Sequence, residues 1–317
     1  MDIPVYFFTG FLESGKTTFL MDVLTNQDFT EGCKALIIAC EEGEVELDSE
    51  LLADLNCDLV YIENQEDFNT ETLHRLNEKY HPEMVLVEFN GMWPFAQVMG
   101  EIDMPKRWAL AQIVSTIDAS TFGTYLTNMR SIIFEQLVDS EMIIFNRCDP
   151  QTTKKSFLRS NVRAINKAAQ IIYECKDGSV NTLPEDEMPF DKKSDYIVVK
   201  DDDFGLWYSD ALENSSEYVG KRVEVRGLKF EPMDDDLLEV AFVLGRYAMV
   251  CCADDLQPIG FLCYFKGANQ LMDEENLRIV AKMDEIFDED FGRYVPILEV
   301  ETIKVLPPMQ EDIVYFN

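Results

Sequence analysis

One stretch near the start of the chain constrains its fold and chemistry more than any other. Residues 5–20 form a short apolar strand, a glycine-flanked turn and the start of an amphipathic helix, reading V-Y-F-F-T-G-F-L-E-S-G-K-T-T-F-L. Gly10 and Gly15-Lys16-Thr17 fit the phosphate-binding pattern G-x-x-x-x-G-K-[ST]. In such a loop, backbone N–H groups and the positive end of the helix face phosphate oxygens. The stretch predicts a bound nucleotide, with an ordinary strand–helix turn as the alternative.

The residue types of this turn predict individual roles. Lys16 is expected to reach the β- and γ-phosphates, and the Thr17 hydroxyl is placed to hold Mg²⁺. The other residues predicted to line the phosphates are Gly10, Glu13, Ser14, Gly15 and Thr18.

Length and charge narrow the classes of protein. A chain of 317 residues predicts roughly two domains, and almost half of its residues are apolar. The formal net charge of −33 argues against nucleic acid or anionic lipid as a partner. Such a charge would favour binding of metal cations or of a basic partner protein. The alternative interpretation is that the acidic residues only form a solvated surface.

Cysteine and histidine usage, together with hydropathy, indicate the compartment. No apolar run is long enough to span a bilayer, so we expect a cytoplasmic protein that is not inserted in a membrane. The eight cysteines form no regular framework and are expected to be reduced. With only two histidines, a histidine-rich zinc site is excluded.

Further apolar strands end in residues with nucleotide chemistry. Residues 84–87 are apolar and lead to Glu88 and Gly91, which predicts a carboxylate near Mg²⁺ and a glycine near the γ-phosphate. An acidic turn at residues 40–48, containing Glu44, follows another buried strand. Open α/β sheets bind their ligands at such carboxyl ends. Glu44 and Glu88 are therefore the candidates, beside Lys16, for orienting water or magnesium.

A third strand, residues 142–145, runs into Asn146-Arg147-Cys148-Asp149. Asn-x-x-Asp resembles the guanine-recognition motif [NT]-K-x-D, in which the Asp carboxylate accepts N1–H and the exocyclic amine. Adenine offers no such pair of donors, so an ATP-dependent kinase conflicts with this motif. Arg147 stands where lysine is usual, and its plane is expected to stack on the base. The alternation of strands and helices predicts an α/β domain with a mainly parallel sheet.

Taken together, residues 1–175 resemble the CobW/UreG/HypB group of P-loop GTPases, and CobW-like members most closely. The family motifs stand here in order as residues 9–19, 40–48, 88–91, 117–119, 135–139 and 146–149. The resemblance implies Mg²⁺-dependent GTP hydrolysis coupled to delivery of a transition metal, Zn²⁺ or Co²⁺, to a client metalloprotein. A homodimer is also a family-level expectation.

This chain departs from the family at several positions. CobW-like members carry a C-x-C-C metal motif between the second and third of these segments. This motif is missing here, and Cys57 is the only cysteine between residues 48 and 88. Glu13 replaces a glycine of the phosphate loop, so its side chain must point away from the phosphates or meet a cation. Cys40 replaces an asparagine, and Cys40, Glu42 and Cys57 form an alternative soft ligand set.

The remainder of the chain predicts a second domain. Residues 176–193 are polar, which places the boundary between a GTPase domain of residues 1–185 and a domain of residues 196–317. Strand-like runs separated by turns predict a small β-rich fold, an OB-like barrel. Residues 218–227, 242–260 and 295–300 resemble the C-terminal domain of YcgQ-like permease subunits. The adjacent thiols of Cys251 and Cys252 are either metal ligands or core residues.

Two functions remain open from the sequence. The first is a GTPase that couples its nucleotide state to metal handling. The second is a slow GTP-dependent switch that docks on a transporter or a metalloenzyme client.

Overall fold

The structure, a computed structural model, describes residues 2–26, 29, 32–43, 47, 49–184, 187–249, 256–289, 292–309 and 313–314. The chain divides into two compact units, one of residues 1–153 and 168–184 and one of residues 154–167 and 185–317. Residues 154–167 therefore group with the second unit, although they lie inside the first of the two domains expected from sequence. The domain limits of 1–185 and 196–317 stay predictions.

The first unit is built on a seven-stranded sheet in which every strand pair is parallel. Its strands are β1 (Ile3–Thr9), β2 (Ala35–Ala39), β3 (Cys57–Tyr61), β4 (Met84–Glu88), β5 (Trp108–Asp118), β6 (Met142–Cys148) and β7 (Gln170–Cys175), in the order β3-β2-β4-β1-β5-β6-β7. Its helices are α1 (Lys16–Thr25), α2 (Ser49–Asp54), α3 (Thr70–Tyr80), α4 (Phe95–Gly100), α5 (Phe122–Asn128) and α6 (Arg130–Leu137). The prediction of an α/β fold with a parallel sheet is confirmed.

Two hydrophobic clusters cover this sheet, because its central strands bury the side chains on both of their faces. One cluster contains Val5 and Phe7 of β1, and the other contains Phe8 together with Leu20 and Leu24 of α1. Strands buried on both faces read as continuous apolar runs, which is how they are recognised in the sequence.

The strand register brings the polar strand ends to one edge. Phe8 of β1 pairs with Glu88, the last residue of β4, and Asp118 at the end of β5 pairs with Asn146 of β6. Since parallel strands end at the same edge, the loops that follow β1, β2, β4, β5 and β6 meet there.

The second unit is β-rich, as predicted. Its strands are β8 (Tyr196–Val198), β9 (Arg222–Phe230), β10 (Ala241–Met249), β11 (Leu256–Tyr264), β12 (Asn276–Asp288), β13 (Arg293–Val305) and β14 (Ile313–Val314), and its helices are α7 (Lys155–Ile165) and α8 (Phe204–Glu213). The sequence interpretation had not identified α8, whose Phe204, Trp207 and Tyr208 belong to the core of this unit.

Five of these strands close into a ring in the order β9-β10-β11-β13-β12 and back to β9. The β11–β13 pair is parallel and the other pairs of the ring are antiparallel. Gly245 of β10 permits a close approach in this ring, because a Cβ there would lie 2.3 Å from the Ile259 carbonyl oxygen. The prediction of an OB-like barrel is confirmed in this arrangement.

Candidate functional site

The phosphate-binding loop predicted from sequence lies between β1 and α1. Its backbone has positive φ at Gly10 (133°), Glu13 (62°) and Gly15 (99°), and α1 begins at the next residue, Lys16. These conformations curl the chain over the N-terminus of the helix, where unpaired N–H groups favour an anion. A cavity of about 280 Å³ lies against the loop, and its lining includes Glu41, Glu88, Asp118 and Arg147.

Lys16 is buried at the floor of this cavity with 2 % of its surface exposed. Its Nζ donates to the carbonyl oxygens of Gly10 and Phe11, each at 2.7 Å, and forms an ion pair with Glu41. The ammonium is thus held by the loop itself and by one carboxylate from the chain that follows β2.

The Thr17 hydroxyl donates to Glu88 Oε1 at 2.6 Å. Burial raises the pKa of Glu88, which is 4 % exposed, and the Thr17 hydrogen bond and the charge of Lys16 act in the opposite direction. The net pKa lies above its usual value, because desolvation of the charged form outweighs these contacts.

Gly91, three residues after the end of β4, packs against the phosphate-binding loop. A Cβ on Gly91 would lie 2.1 Å from the Gly10 carbonyl oxygen, so only glycine allows the two loops to approach this closely. Gln136 Nε2 donates to the Gly91 carbonyl oxygen at 2.6 Å, and the Gly91 N–H points to Glu41 Oε2 at 3.4 Å.

These residues fit a nucleotide with its magnesium ion. A Cβ on Gly15 would lie 2.3 Å from Asn146 Nδ2, so this position of the loop accepts only a glycine. Thr17 and Glu88 present hydroxyl and carboxylate oxygens, which are the donors that Mg²⁺ prefers. Lys16 supplies the buried positive charge that phosphate oxygens need.

The three remaining loop residues predicted to line the phosphates, Glu13, Ser14 and Thr18, differ in exposure. The Ser14 hydroxyl is buried and lies 2.9 Å from Thr116 Oγ1, whereas Thr18 is exposed and lines the cavity. The Glu13 side chain is exposed at the cavity rim, and its carbonyl oxygen accepts a hydrogen bond of 2.9 Å from Arg147 Nη1.

The residues predicted to read the base lie next to this loop. Asn146 Nδ2 donates to the Ser14 carbonyl oxygen at 2.5 Å, while Asn146 Oδ1 is buried without a hydrogen-bond partner among the described residues. Arg147 has φ 52° and binds Asp118 Oδ2 at 2.7 Å. Burial acts to raise the pKa of Asp118, but hydrogen bonds from Ser120 and Arg147 hold it below its usual value.

Asp149 is less confined than Asn146. Its Oδ1 accepts from the Gln151 N–H at 2.9 Å, and its Oδ2 lies 3.7 Å from Lys176 Nζ. A second cavity of about 240 Å³ is lined in part by Asn146, Arg147 and Lys176.

The alternative metal site of Cys40, Glu42 and Cys57 is wrong. Cys57 begins β3 opposite Ala35, whereas Cys40 follows Ala39 at the other end of β2. At about 3.3 Å per residue, the backbone positions of the two cysteines lie at opposite ends of the paired strands, roughly 17 Å apart. In the part of the chain that the structure describes, no three His, Cys, Asp or Glu side chains are grouped to hold a metal ion.

Three residues of the predicted sites cannot be located. Glu44, Cys251 and Cys252 lie outside the described residues.

Several residues of the site were not selected from sequence. Glu41, Asp118 and Gln136 lie within motifs that carry the family resemblance, so the motifs themselves were the available signal. Lys176 directly follows β7, and its position after a parallel strand was the signal for it.

The fold and the loop geometry define a P-loop nucleotide-binding protein. Residues 4–173, more than half of the chain, match the family model described as CobW/HypB/UreG, nucleotide-binding domain. The chain belongs to this family, and this part of it is a GTPase domain. Residues 176–316 match the model of the DUF1980 C-terminal domain.

Individual proteins are similar over part of their length. "Zinc-regulated GTPase metalloprotein activator 1" of Schizosaccharomyces pombe is 26 % identical over an alignment of 201 residues, which covers 58 % of this chain and 48 % of that protein. The chain thus spans about half the length of this curated relative.

Two solved structures of proteins named HypB, one of them titled a hydrogenase maturation factor, are similar over part of the chain. HypB from Archaeoglobus fulgidus has a TM-score of 0.38 at 15 % identity, covering 56 % of this chain and 82 % of its own. HypB from Helicobacter pylori in complex with nickel has a TM-score of 0.37 at 11 % identity, covering 54 % and 78 %.

Among the described residues, no helix combines the length and the apolar character needed to cross a membrane.

Proposed function

We propose that this protein binds and hydrolyses GTP with Mg²⁺. The observation that carries the proposal is the Thr17–Glu88 hydrogen bond of 2.6 Å beside the buried ammonium of Lys16. Mg²⁺, when bound, neutralises charge on the β- and γ-phosphates. Thr17 and Glu88 would hold the ion directly or through water.

The remaining residues of the chain position the nucleotide. Lys16 stabilises charge on the transferring phosphoryl group, and Glu88 or Glu44 orients water. The phosphates would be bound by Gly10, Glu13, Ser14, Gly15, Thr18 and Gly91. Preorganised donors of this kind account for much of the rate enhancement in phosphoryl transfer.

Guanine selection is assigned to Asn146, Arg147 and Asp149. The second cavity beside Asn146 and the unpartnered Asn146 Oδ1 support a base at this position. A carboxylate acceptor at Asp149 favours guanine, because adenine cannot donate to it from two adjacent positions.

Competition binding tests this proposal. Unlabelled GTP should displace a fluorescent guanine nucleotide at least 100-fold better than ATP. Asp149→Asn should remove that preference and gain affinity for XTP, because the amide donates where the carboxylate accepted. Asp139→Asn removes the same charge from an exposed position and serves as the matched control. Equal displacement by ATP and GTP would contradict the proposal.

We further propose that GTP turnover is coupled to the handling of Zn²⁺ or Co²⁺. The support is the similarity to the Schizosaccharomyces pombe zinc-regulated GTPase metalloprotein activator 1 and the Cys251-Cys252 thiol pair in the sequence. Metal uptake should fall in the Cys251→Ser/Cys252→Ser double variant and persist in Cys33→Ser. Equal uptake by both variants and the wild type would remove Cys251 and Cys252 as ligands.

The second candidate is a GTP-dependent switch that docks on a transporter or metalloenzyme client and hydrolyses slowly. It is favoured by Glu13, whose exposed carboxylate lies at the rim of the phosphate cavity. Single-turnover hydrolysis by the isolated protein separates the two candidates. A rate typical of enzymes, about 1 s⁻¹ or faster, would exclude the slow switch.

A further inference from the structure

Glu41, which lines the phosphate cavity, contacts both Lys16 and Gly91. Its Oε1 forms an ion pair with Lys16 Nζ, and its Oε2 lies 3.4 Å from the Gly91 N–H. The Glu41 side chain is only 10 % exposed and Lys16 is 2 % exposed, so the pair is shielded from water.

Lys16 and Gly91 are also the groups assigned above to the γ-phosphate. A phosphate-loop lysine reaches the β- and γ-phosphates, and Gly91, which follows β4, is expected to approach the γ-phosphate with its N–H. A carboxylate and a phosphate both accept from such donors. The two oxygens of Glu41 therefore use the positive charge and the N–H that a γ-phosphate would use.

We propose that the Glu41 carboxylate occupies the place of the γ-phosphate and makes the protein discriminate between GTP and GDP. GTP must expel Glu41 from Lys16 and Gly91, whereas GDP, which ends at the β-phosphate, leaves this contact in place. This inference rests on the proposed function, since it needs GTP to bind at this cavity.

The charges around Glu41 make simultaneous occupancy unfavourable. Glu88 is a second buried carboxylate in the same cavity, and Lys16 is the one cation with which Glu41 pairs among the described contacts. A γ-phosphate would add further negative charge close to both carboxylates. Because little water reaches this site, the repulsion between these charges is only weakly screened. Removing the charge of Glu41 should therefore favour GTP selectively.

The position of Glu41 also connects its displacement to the rest of the sheet edge. The preceding residue, Cys40, accepts a hydrogen bond of 3.2 Å at its carbonyl oxygen from Asn90 Nδ2. Asn90 directly precedes Gly91, so the chains after β2 and β4 are joined beside the cavity. Release of Glu41 removes its carboxylate from Gly91 while this neighbouring hydrogen bond can persist.

The test compares a non-hydrolysable GTP analogue with GDP, both in excess Mg²⁺, by calorimetry on the full chain. Glu41→Ala should bind the GTP analogue about 10-fold more tightly than wild type, with GDP affinity changed less than about 2-fold; a factor of ten corresponds to about 1.4 kcal/mol. Glu41→Gln keeps the shape without the charge and should shift the ratio in the same direction. Glu42→Ala removes a charge from the exposed neighbouring residue and should leave the ratio unchanged.

Other outcomes overturn the inference in different ways. An equal gain in affinity for both nucleotides in Glu41→Ala would show that Glu41 repels nucleotides in general and does not discriminate between GTP and GDP. A loss of affinity for the GTP analogue would make Glu41 a contributor to binding. If wild type binds GDP and the GTP analogue at this site but the variants leave their ratio unchanged, only the inference fails. If neither nucleotide binds to wild type, the proposed function fails as well.

Discussion

The hydroxyl of Thr17 lies 2.6 Å from Glu88 Oε1 and joins the first turn of α1 to the last residue of β4. This hydrogen bond places a neutral oxygen and a carboxylate together next to the buried Lys16. Because both are hard oxygen donors, the pair is suited to Mg²⁺.

We expect Thr17→Val to lower the Mg²⁺-dependent part of GTP affinity by about 10- to 100-fold, equivalent to about 1.4–2.7 kcal/mol. Valine keeps the shape of threonine and removes the oxygen. Thr17→Ser keeps the hydroxyl and is the matched control. Titrating GTP with and without Mg²⁺ measures the effect, and equal affinities for the two variants would show that the hydroxyl takes no part.

The raised pKa of Glu88 predicts a pH-dependent stability of the nucleotide-free protein. The folded state holds the Glu88 proton more tightly than the unfolded state, whose pKa is near the usual 4.5. Stability from this group is therefore lost as the pH rises from 4.5 through the raised pKa, and is then constant. We expect Glu88→Gln to gain stability relative to wild type over that interval, as measured by urea unfolding at several pH values. A difference that does not change with pH would contradict this prediction.

The backbone of Glu13 has φ 62°, a left-handed conformation that costs a non-glycine residue about 1 kcal/mol. We expect Glu13→Gly to stabilise the protein by about 0.5–1 kcal/mol in urea unfolding. Glu13→Gln removes the charge and keeps the conformational cost, so it should give no such gain. Both variants should bind GTP more tightly, because a carboxylate leaves the rim of the cavity. If Glu13→Gln gained stability and Glu13→Gly gained no more, the stabilisation would come from removal of the charge and not from relief of the left-handed conformation.

The approach of Gly91 to Gly10 leaves no room for a side chain, since a Cβ would lie 2.1 Å from a backbone oxygen. Gly91→Ala should therefore displace the phosphate-binding loop, cost about 1–3 kcal/mol of stability and abolish measurable GTP binding. At Gly100 a Cβ would meet nothing within 4 Å, so Gly100→Ala should be nearly neutral. Thermal unfolding and nucleotide titration of both variants check this, and normal GTP binding by Gly91→Ala would contradict it.

The sequence predicted those parts of the site that depend on local chain geometry. Gly10, Lys16 and Thr17 have fixed spacing within one turn, and Glu88 and Asn146 belong to strands recognisable by their apolar runs. The parallel sheet then brings these strand ends to one edge, as expected for the fold.

Contacts between segments distant in sequence were not predictable in the same way. The ion pair of Lys16 with Glu41 depends on strand order. Strands β1, β2 and β4 are apolar over most of their length, so their pattern does not reveal which strands are neighbours. The alternative set of Cys40 and Cys57 failed for a related reason, since only the register of β2 with β3 shows that their thiols are far apart.

Helix α7 bears on how this chain can be divided. Residues 154–167 pack with the second unit, where Arg159 Nη2 lies 3.5 Å from Asp210 Oδ1 and Arg163 pairs with Glu213 of α8. A fragment cut at residue 185 would keep both arginines and lose both acidic partners. The chain enters its second unit, returns and enters it again, so a single cleavage cannot release either half intact.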